Sequence, residues 1–503
     1  MLPEPDFASF AAAYEARQPS VLWTRLVADL DTPVSAMMKL AQGRPNSFLL
    51  ESVQGGAVRG RYSFIGLRPD LIWRCRGGQA EINRRPASDA AAFVPCPTPP
   101  IQALRELLAE SQIELPASLP PMAAGLFGYF GYDMVRLMER LPTGQPPALD
   151  LPDGIFLRPT ITAIFDNIED RVTVVTPVWP QNGTDAAAAY AAGTARLEAA
   201  VADFARPLAH PAGGVAAAPL PAPLSNVAHD DFHAMVERAK RYIFAGDIFQ
   251  VVLSQRFEAA FTLPAFSLYR ALRRVNPAPF LCYLDFGGFS IIGSSPEILV
   301  RLRDETVTIR PIAGTRPRGK TPEEDRALAA DLLSDKKELA EHLMLLDLGR
   351  NDVGRVARIG SVKVTERNII EYYSHVMHIV SNVDGKIDPQ YDAMNALMAG
   401  FPAGTVSGAP KVRAMEIIEE LEPEKRGLYG GCVGYFAANG AMDTCIVLRT
   451  AVIKDQVMYV QAGAGIVADS VAESEHQECQ HKARALFRAA EEAVRFAQGG
   501  ANR

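Results

Sequence analysis

The sequence predicts an α+β fold with mostly antiparallel sheet. Strand-like apolar runs are numerous and closely connected, helices are bunched instead of alternating with strands, and no segment repeats at a fixed period. At 503 residues the chain is long enough for two or three domains with a large buried core. The balance of 48% apolar and 22% charged residues with net charge −7 gives no electrostatic reason to expect nucleic acid or an anionic membrane. No run of 18 apolar residues is present and the N-terminus lacks a basic region before an apolar core, so a soluble cytoplasmic protein is expected. Six scattered cysteines without CxxC spacing read as reduced thiols.

In chain order, residues 21–75 mix short strands with loops, including 47–52 and 61–66. Proline-rich connections at 94–100 and 115–121 flank a helix at 101–110. Residues 124–133 alternate glycine with aromatics, which suits a strand close to another backbone. Two strands at 161–165 and 171–175 meet at a turn, and an alanine-rich helix follows at 186–204. The stretch 206–227, with five prolines and almost no charge, reads as a linker. It divides an N-terminal lobe, 1–205, from a second domain, 228–503.

Beyond the linker, Asp231 is expected to cap a helix reaching Ile243. Strands are expected at 248–257, 280–286, 290–293 and 298–302, with a helix at 266–275. Residues 306–312 lead into a loop at 313–320. The stretch 335–354 reads as an amphipathic helix ending near Gly349. A strand at 361–364, the segment 372–383, a helix at 387–398 and a Gly/Pro loop at 401–411 follow. A helix at 412–421, strands at 431–437, 444–452 and 456–462, and a last helix from about 472 to 497 complete the chain.

Chemistry concentrates on two of these helices. Glu338 and Glu341 lie one turn apart on the first, Glu475 and Glu478 on the last. If the helices meet, their carboxylates suit a hard cation such as Mg²⁺, which prefers oxygen ligands; clustered Cys/His spacing for Zn²⁺ is missing. Glycine-containing loops at 312–316, 403–411 and 462–465 offer backbone N–H groups to an anion, but none matches the Walker or Rossmann pattern. A small carboxylate substrate fits better than a nucleotide.

Six ordered motifs then carry a resemblance: PIAGTRPRGK (311–320), DKKELAEHLMLLDLGRND (335–352), HVMHIVSNVDG (375–385), FPAGTVSGAPKVRA (401–414), YGGCVGYF (429–436) and QAGAGIV (461–467). Weaker matches are LLES (49–52), RYSFIG (61–66) and GYFGYD (128–133). Together they resemble the chorismate-utilising enzymes, most closely the large synthase subunits of anthranilate synthases. The resemblance implies large antiparallel sheets packed as a sandwich with helices outside, and Mg²⁺-dependent formation of anthranilate from chorismate and ammonia with release of pyruvate, opening tryptophan biosynthesis.

By the same resemblance Glu341 and Glu478 are expected to ligate Mg²⁺, with Glu338 and Glu475 holding metal-bound water. Tyr429, Arg449 and the backbone of Gly463, Ala464 and Gly465 would bind the enolpyruvyl carboxylate. Gly314 and Thr315 would line the ring with Thr405 close by, and Lys482 is similar to the family's lysine after the second metal glutamate. Glu297 resembles the acid that protonates the leaving C4 hydroxyl, and His378 the histidine of the pyruvate-loss step. Relatives that add water carry a lysine where Gln250 stands, and aminodeoxychorismate synthases carry one where Ala313 stands; this chain has neither base nor nucleophile there. Alternatives are a 2-amino-2-deoxyisochorismate synthase, an aminodeoxychorismate synthase component, or a non-catalytic scaffold subunit. The chain is read as lacking the Gly-x-Cys-x-Gly loop of glutaminases, so a separate glutamine amidotransferase chain is expected, in a heterotetramer of two chains of each kind. The N-terminal lobe resembles the family's regulatory lobe, with feedback inhibition by tryptophan at Glu51, Ser52, Pro279, Phe280 and Leu281.

Overall fold

The computed structural model describes residues 3–54, 58–142, 144–147, 149–208, 219–373 and 376–499. Part of the linker (209–218) and the 374–375 segment, which includes His375 of the HVMHIVS motif, lie outside these.

Two sheet arms diverge from the long strand Gly154–Asp166, and all the ladders described here are antiparallel. Along one edge it pairs with Val58–Arg76, and the arm continues through Ser47–Gln54, Phe280–Asp285, Ser290–Ser295, Thr450–Lys454, Val457–Ile466 and Gln250–Ala260. Along the other it pairs with Gly125–Phe130, followed by Cys432–Ala437, Met442–Ile446, Ile298–Arg303, Thr306–Ile309 and Val376–Lys386. The last of these also holds Ile312–Pro317 and Lys363–Tyr372.

Side chains alternate across each strand, so the central strands serve two cores. Phe48, Phe64, Cys282 and Ile291 of the first arm meet Phe127, Val433, Tyr435 and Cys445 of the second in the layer between them. Phe48 and Phe127 stack there with ring centroids 4.7 Å apart. On its outer face the first arm packs against helices Phe7–Glu15, Pro33–Ala41, Ala186–Phe204, Ala265–Val275 and Ala472–Gly499. The second is covered by Pro100–Glu110, Lys336–Gly354 and Ala393–Gly400. This is the expected sandwich with helices outside. Ladders Ser47–Gln54/Phe280–Asp285 and Gly125–Phe130/Cys432–Ala437 join residues from opposite sides of the linker.

Several local expectations are corrected. The first two helices were not anticipated: Asp6 caps Phe7–Glu15 by accepting from Ser9 N, and Thr32 with Ser35 forms a capping box for Pro33–Ala41. The helix after the linker starts at His229, and Asp231 lies in its first turn beside Asp230, where acidic charge favours the helix dipole without capping. Residues 312–317 form a strand and not a loop, because the 376–386 strand supplies ladder partners. The helix at 336 runs on to Gly354; Gly349 is an interior contact point, where a Cβ would meet Pro311 Cγ at 3.2 Å. The expected strand at 444–452 is two, broken where Arg449 adopts φ +46°.

Candidate active site

The two glutamate helices converge. Lys337, next to Glu338, forms a 2.8 Å ion pair with Asp469 in the loop that enters the last helix. Burial, followed by the negative charges of Glu338 and Glu478, holds the Glu341 carboxyl above its ordinary range. Glu341 and Glu478, 137 positions apart in sequence, therefore share one electrostatic neighbourhood. Glu338 and Glu475 are raised as well, chiefly by burial. Lys482 lies across this group, 2.6 Å from Glu478 Oε1, and donates to the Gly463 carbonyl at 2.9 Å. Among the described residues no three of these four carboxylates bring oxygens within 4.8 Å of one another. Mg²⁺ takes one or two carboxylates directly and fills its other positions with water or substrate, so a closer cluster is not required.

Beside the carboxylates runs the Ile312–Pro317 strand. Its register slips between Ala313 and Thr315, so Gly314 bulges out with φ +67°. A Cβ on Gly314 would lie 3.1 Å from Glu338 Oε2, which places the bulge against the first glutamate helix. Thr315 pairs with His378 on the neighbouring strand. His378 Nδ1 lies 2.9 Å from the Gly314 carbonyl and 3.1 Å from Thr315 Oγ1. The carbonyl accepts only from an N–H, which assigns the proton to Nδ1 and leaves the lone pair on Nε2. Burial pushes the His378 pKa down to about 4, so the ring is neutral at pH 7. Tyr373 packs edge-on to it at 5.3 Å.

Glu297 follows the Ser290–Ser295 strand, with its backbone carbonyl bonded by Ile446 N at 3.0 Å. Thr405 Oγ1, on a short turn at Gly404–Val406, donates to Glu297 Oε2 at 2.9 Å. Burial raises the Glu297 carboxyl, against the opposing effects of Thr405, Arg449 and Lys482. Arg449 is lowered by burial and opposed by Glu297, Tyr429, Tyr373 and Glu478, which puts its guanidinium among them. Tyr429 meets Gly463: a Cβ there would sit 2.8 Å from both the Tyr429 hydroxyl and the Leu253 carbonyl. Gly465 is backed by Gln250, whose Nε2 lies 2.4 Å from a Cβ built at that glycine. Ala464 turns the other way into a core with Val251 and Ile466, so of this trio only its backbone is available.

Contacts and mutual electrostatic influence thus link Glu297, Gly314, Thr315, Glu338, Glu341, His378, Thr405, Tyr429, Arg449, Gly463, Glu475, Glu478 and Lys482 into one neighbourhood, with Gly465 two residues along the strand from Gly463. Sequence reasoning passed over Arg316, whose Nη1 lies 3.6 Å from Glu338 Oε1, and Tyr373. Arg316 sits within the PIAGTR motif; Tyr373 is near the site only through strand pairing. One reading is corrected in its pattern while its conclusion is unchanged. Gly430-Gly431-Cys432-Val433-Gly434 does fit Gly-x-Cys-x-Gly, yet Cys432 is a strand residue, 1% exposed, with its thiol pushed up to about 12 by burial. It is no nucleophile.

The proposed inhibitor residues are also adjacent. Ser52 pairs with Phe280 and Glu51 with Leu281. Glu51 is buried and accepts from Arg273 Nε and Nη2, both at 2.9 Å, and from the Tyr269 hydroxyl. Arg273 and Tyr269 lie on a helix that the sequence reading had not connected with this corner. Pro279 leads into the Phe280 strand.

The model of the chorismate binding enzyme family matches residues 69–488. A protein named anthranilate synthase component 1 from Cereibacter sphaeroides is 60% identical over 499 residues, covering 99% of each chain. Its namesake from Pseudomonas aeruginosa is 50% identical over 475 residues, 92% of this chain and 94% of that one. The crystal structure of anthranilate synthase component I from Streptococcus pneumoniae superposes with TM-score 0.77 at 38% identity, over 92% of this chain and 99% of that one. Matched by the family model over residues 69–488 and by relatives over nearly its whole length, the chain belongs to the chorismate binding enzyme family.

Proposed function

We propose that the chain converts chorismate and ammonia to anthranilate and pyruvate, the first step toward tryptophan. The observation that carries the reading is the meeting of Glu341 and Glu478 beside a neutral His378 and a raised Glu297. The names of its relatives support it.

Glu341 and Glu478 would hold Mg²⁺, with Glu338 and Glu475 at the next remove. Held there, such an ion would supply Lewis acidity at the ring carboxylate. The rest falls to side chains. Tyr429, Arg449 and the Gly463–Gly465 backbone take the enolpyruvyl carboxylate, which fixes the ring between Gly314–Thr315 and Glu297. Hydroxide is a poor leaving group; Glu297, whose carboxyl burial raises and Thr405 aims, gives its proton to the C4 oxygen, which leaves as water as ammonia adds at C2. His378 then takes the C2 proton on Nε2 as pyruvate departs and the ring becomes aromatic. Lys482, tied to Gly463 and Glu478, positions the carboxylate loop against the metal glutamates. Gln250 and Ala313 supply neither the base for water nor a competing amine.

Ammonia is scarce at neutral pH because ammonium dominates. The relatives' designation as a first component fits a partner component, and a glutamine amidotransferase in a two-plus-two assembly would supply it. The test is to incubate the purified chain with chorismate, Mg²⁺ and ammonium salt at alkaline pH. Anthranilate fluorescence is expected; a product keeping its enolpyruvyl group would instead identify a 2-amino-2-deoxyisochorismate synthase, and no product removes both readings.

Tryptophan is proposed to inhibit by binding at Glu51, Ser52 and the Pro279–Leu281 segment. Among the described residues Ser52 Oγ bonds only the Tyr62 carbonyl, at a long 3.3 Å, so Ser52→Ala removes little from the fold. It should raise the tryptophan concentration for half-inhibition by about 3–10-fold, the worth of one hydrogen bond. Unchanged sensitivity in the inhibition assay would remove this assignment.

A further inference from the structure

Three histidines collect away from the carboxylates. His229 and His233 are one turn apart on the His229–Phe244 helix, and Glu473 and His476 are one turn apart on the last helix. Ligand atoms of His229, Glu473 and His476 all lie within 4.8 Å of one another. Glu473 Oε2 is 2.8 Å from His229 Nε2 and 3.1 Å from His233 Nε2. The His229 ring centroid is 4.2 Å from that of His233 and 4.9 Å from that of His476. His476 is 6% exposed, and its Nδ1 is a buried polar atom without a hydrogen-bond partner among the described residues.

We propose that His229, His233, Glu473 and His476 bind a late first-row divalent cation of the Zn²⁺ type, at a site separate from the carboxylate cluster. Three imidazoles and one carboxylate are a Zn²⁺ donor set, whereas Mg²⁺ takes oxygen ligands. Tetrahedral bonds of about 2.0 Å place ligand atoms roughly 3.3 Å apart, so the ligand atoms of His229, Glu473 and His476 draw in from within 4.8 Å of one another, and His233, its ring centroid 6.1 Å from that of His476, moves in to complete the set. The outer contacts such a site needs are present. Asp230 Oδ1 lies 2.9 Å from His229 Nδ1, and Gln477 Nε2 donates to Glu473 Oε1 at 2.8 Å. Contacts of this kind fix the orientation of imidazole and carboxylate ligands. Asp230 and Glu473 offset the cation's charge and the half-positive start of the last helix. At 100° per residue, Glu473 and His476 leave that helix on roughly the opposite side from Glu475 and Glu478. A cation here clips the first helix after the linker to the last helix without occupying the proposed Mg²⁺ site.

The test is independent of the proposed activity. Untagged full-length chain in saturating Mg²⁺ is titrated with Zn²⁺ by calorimetry, with Co²⁺ absorption as a coordination probe. One Zn²⁺ per chain is expected, with a Tm that rises with Zn²⁺ concentration. The double variant H229A/H233A should bind at least about 100-fold more weakly, and H233Q alone, at a part-exposed side chain, at least about 10-fold. Glu341→Gln should leave Zn²⁺ binding intact. Absence of binding tighter than about 100 µM, or binding that survives both histidine variants, would overturn the site.

Discussion

Glu341→Gln is expected to lower Mg²⁺-dependent turnover by more than about 100-fold, beyond what loss of an outer-shell partner costs, and to raise the Tm of the metal-free chain. The two effects share one cause. Burial and the neighbouring Glu338 and Glu478 raise the folded-state pKa of Glu341 above its unfolded value. Such a group's contribution to stability is fully present below the unfolded pKa and is lost as pH rises through the folded one. At neutral pH the repulsion is a cost that a neutral amide of the same shape removes. The upward shift should be on the order of 1 °C for a chain this size. Scanning calorimetry with and without Mg²⁺ reads it: the parent chain is stabilised by Mg²⁺, the variant is not. A variant that keeps its activity, or melts lower in chelator, would mean the carboxylates do not share an ion.

Glu297→Gln should cost about 10²–10⁴ in kcat, the usual worth of a positioned general acid, with KM little changed. Its raised carboxyl has to be protonated to act, so activity in the parent enzyme falls as pH rises through the Glu297 pKa, above the ordinary carboxylate range. The pH–rate profile of the variant should lack that limb. Glutamine keeps an acceptor for Thr405, so the 2.9 Å contact survives and the loss reports on the proton alone. A variant within about 10-fold of the parent, with the limb intact, would move the acid to another residue.

Much of this site was legible because its residues sit in short motifs whose chemistry is local. Glu338 and Glu341 share a helix face by spacing alone, and 137 residues later Glu475 and Glu478 repeat it. What the spacing could not supply was the meeting of the two helices, which depends on the order of strands in the sheets. The same limit explains the missed partners. Arg273 reaches Glu51 only through tertiary packing, and Tyr373 meets His378 only because the 363–372 and 376–386 strands pair. Local errors had local causes. Gly349 looked like a helix stop but is a helix–loop contact, and Arg449 was read as mid-strand although its φ of +46° ends one strand and starts another. The helix at 33–41 was announced by Thr32 and Ser35, a signal overlooked for want of charge in its first turn.

The ladders that cross the linker bear on how the protein could be divided. Ser47–Gln54 with Phe280–Asp285, and Gly125–Phe130 with Cys432–Ala437, are seams sewn by backbone amides from either half. Excising the first 205 residues would bare two sheet margins, each with unsatisfied N–H and C=O groups ready to recruit foreign strands. Neither half is a portable module, and a chain nicked between them should remain one particle.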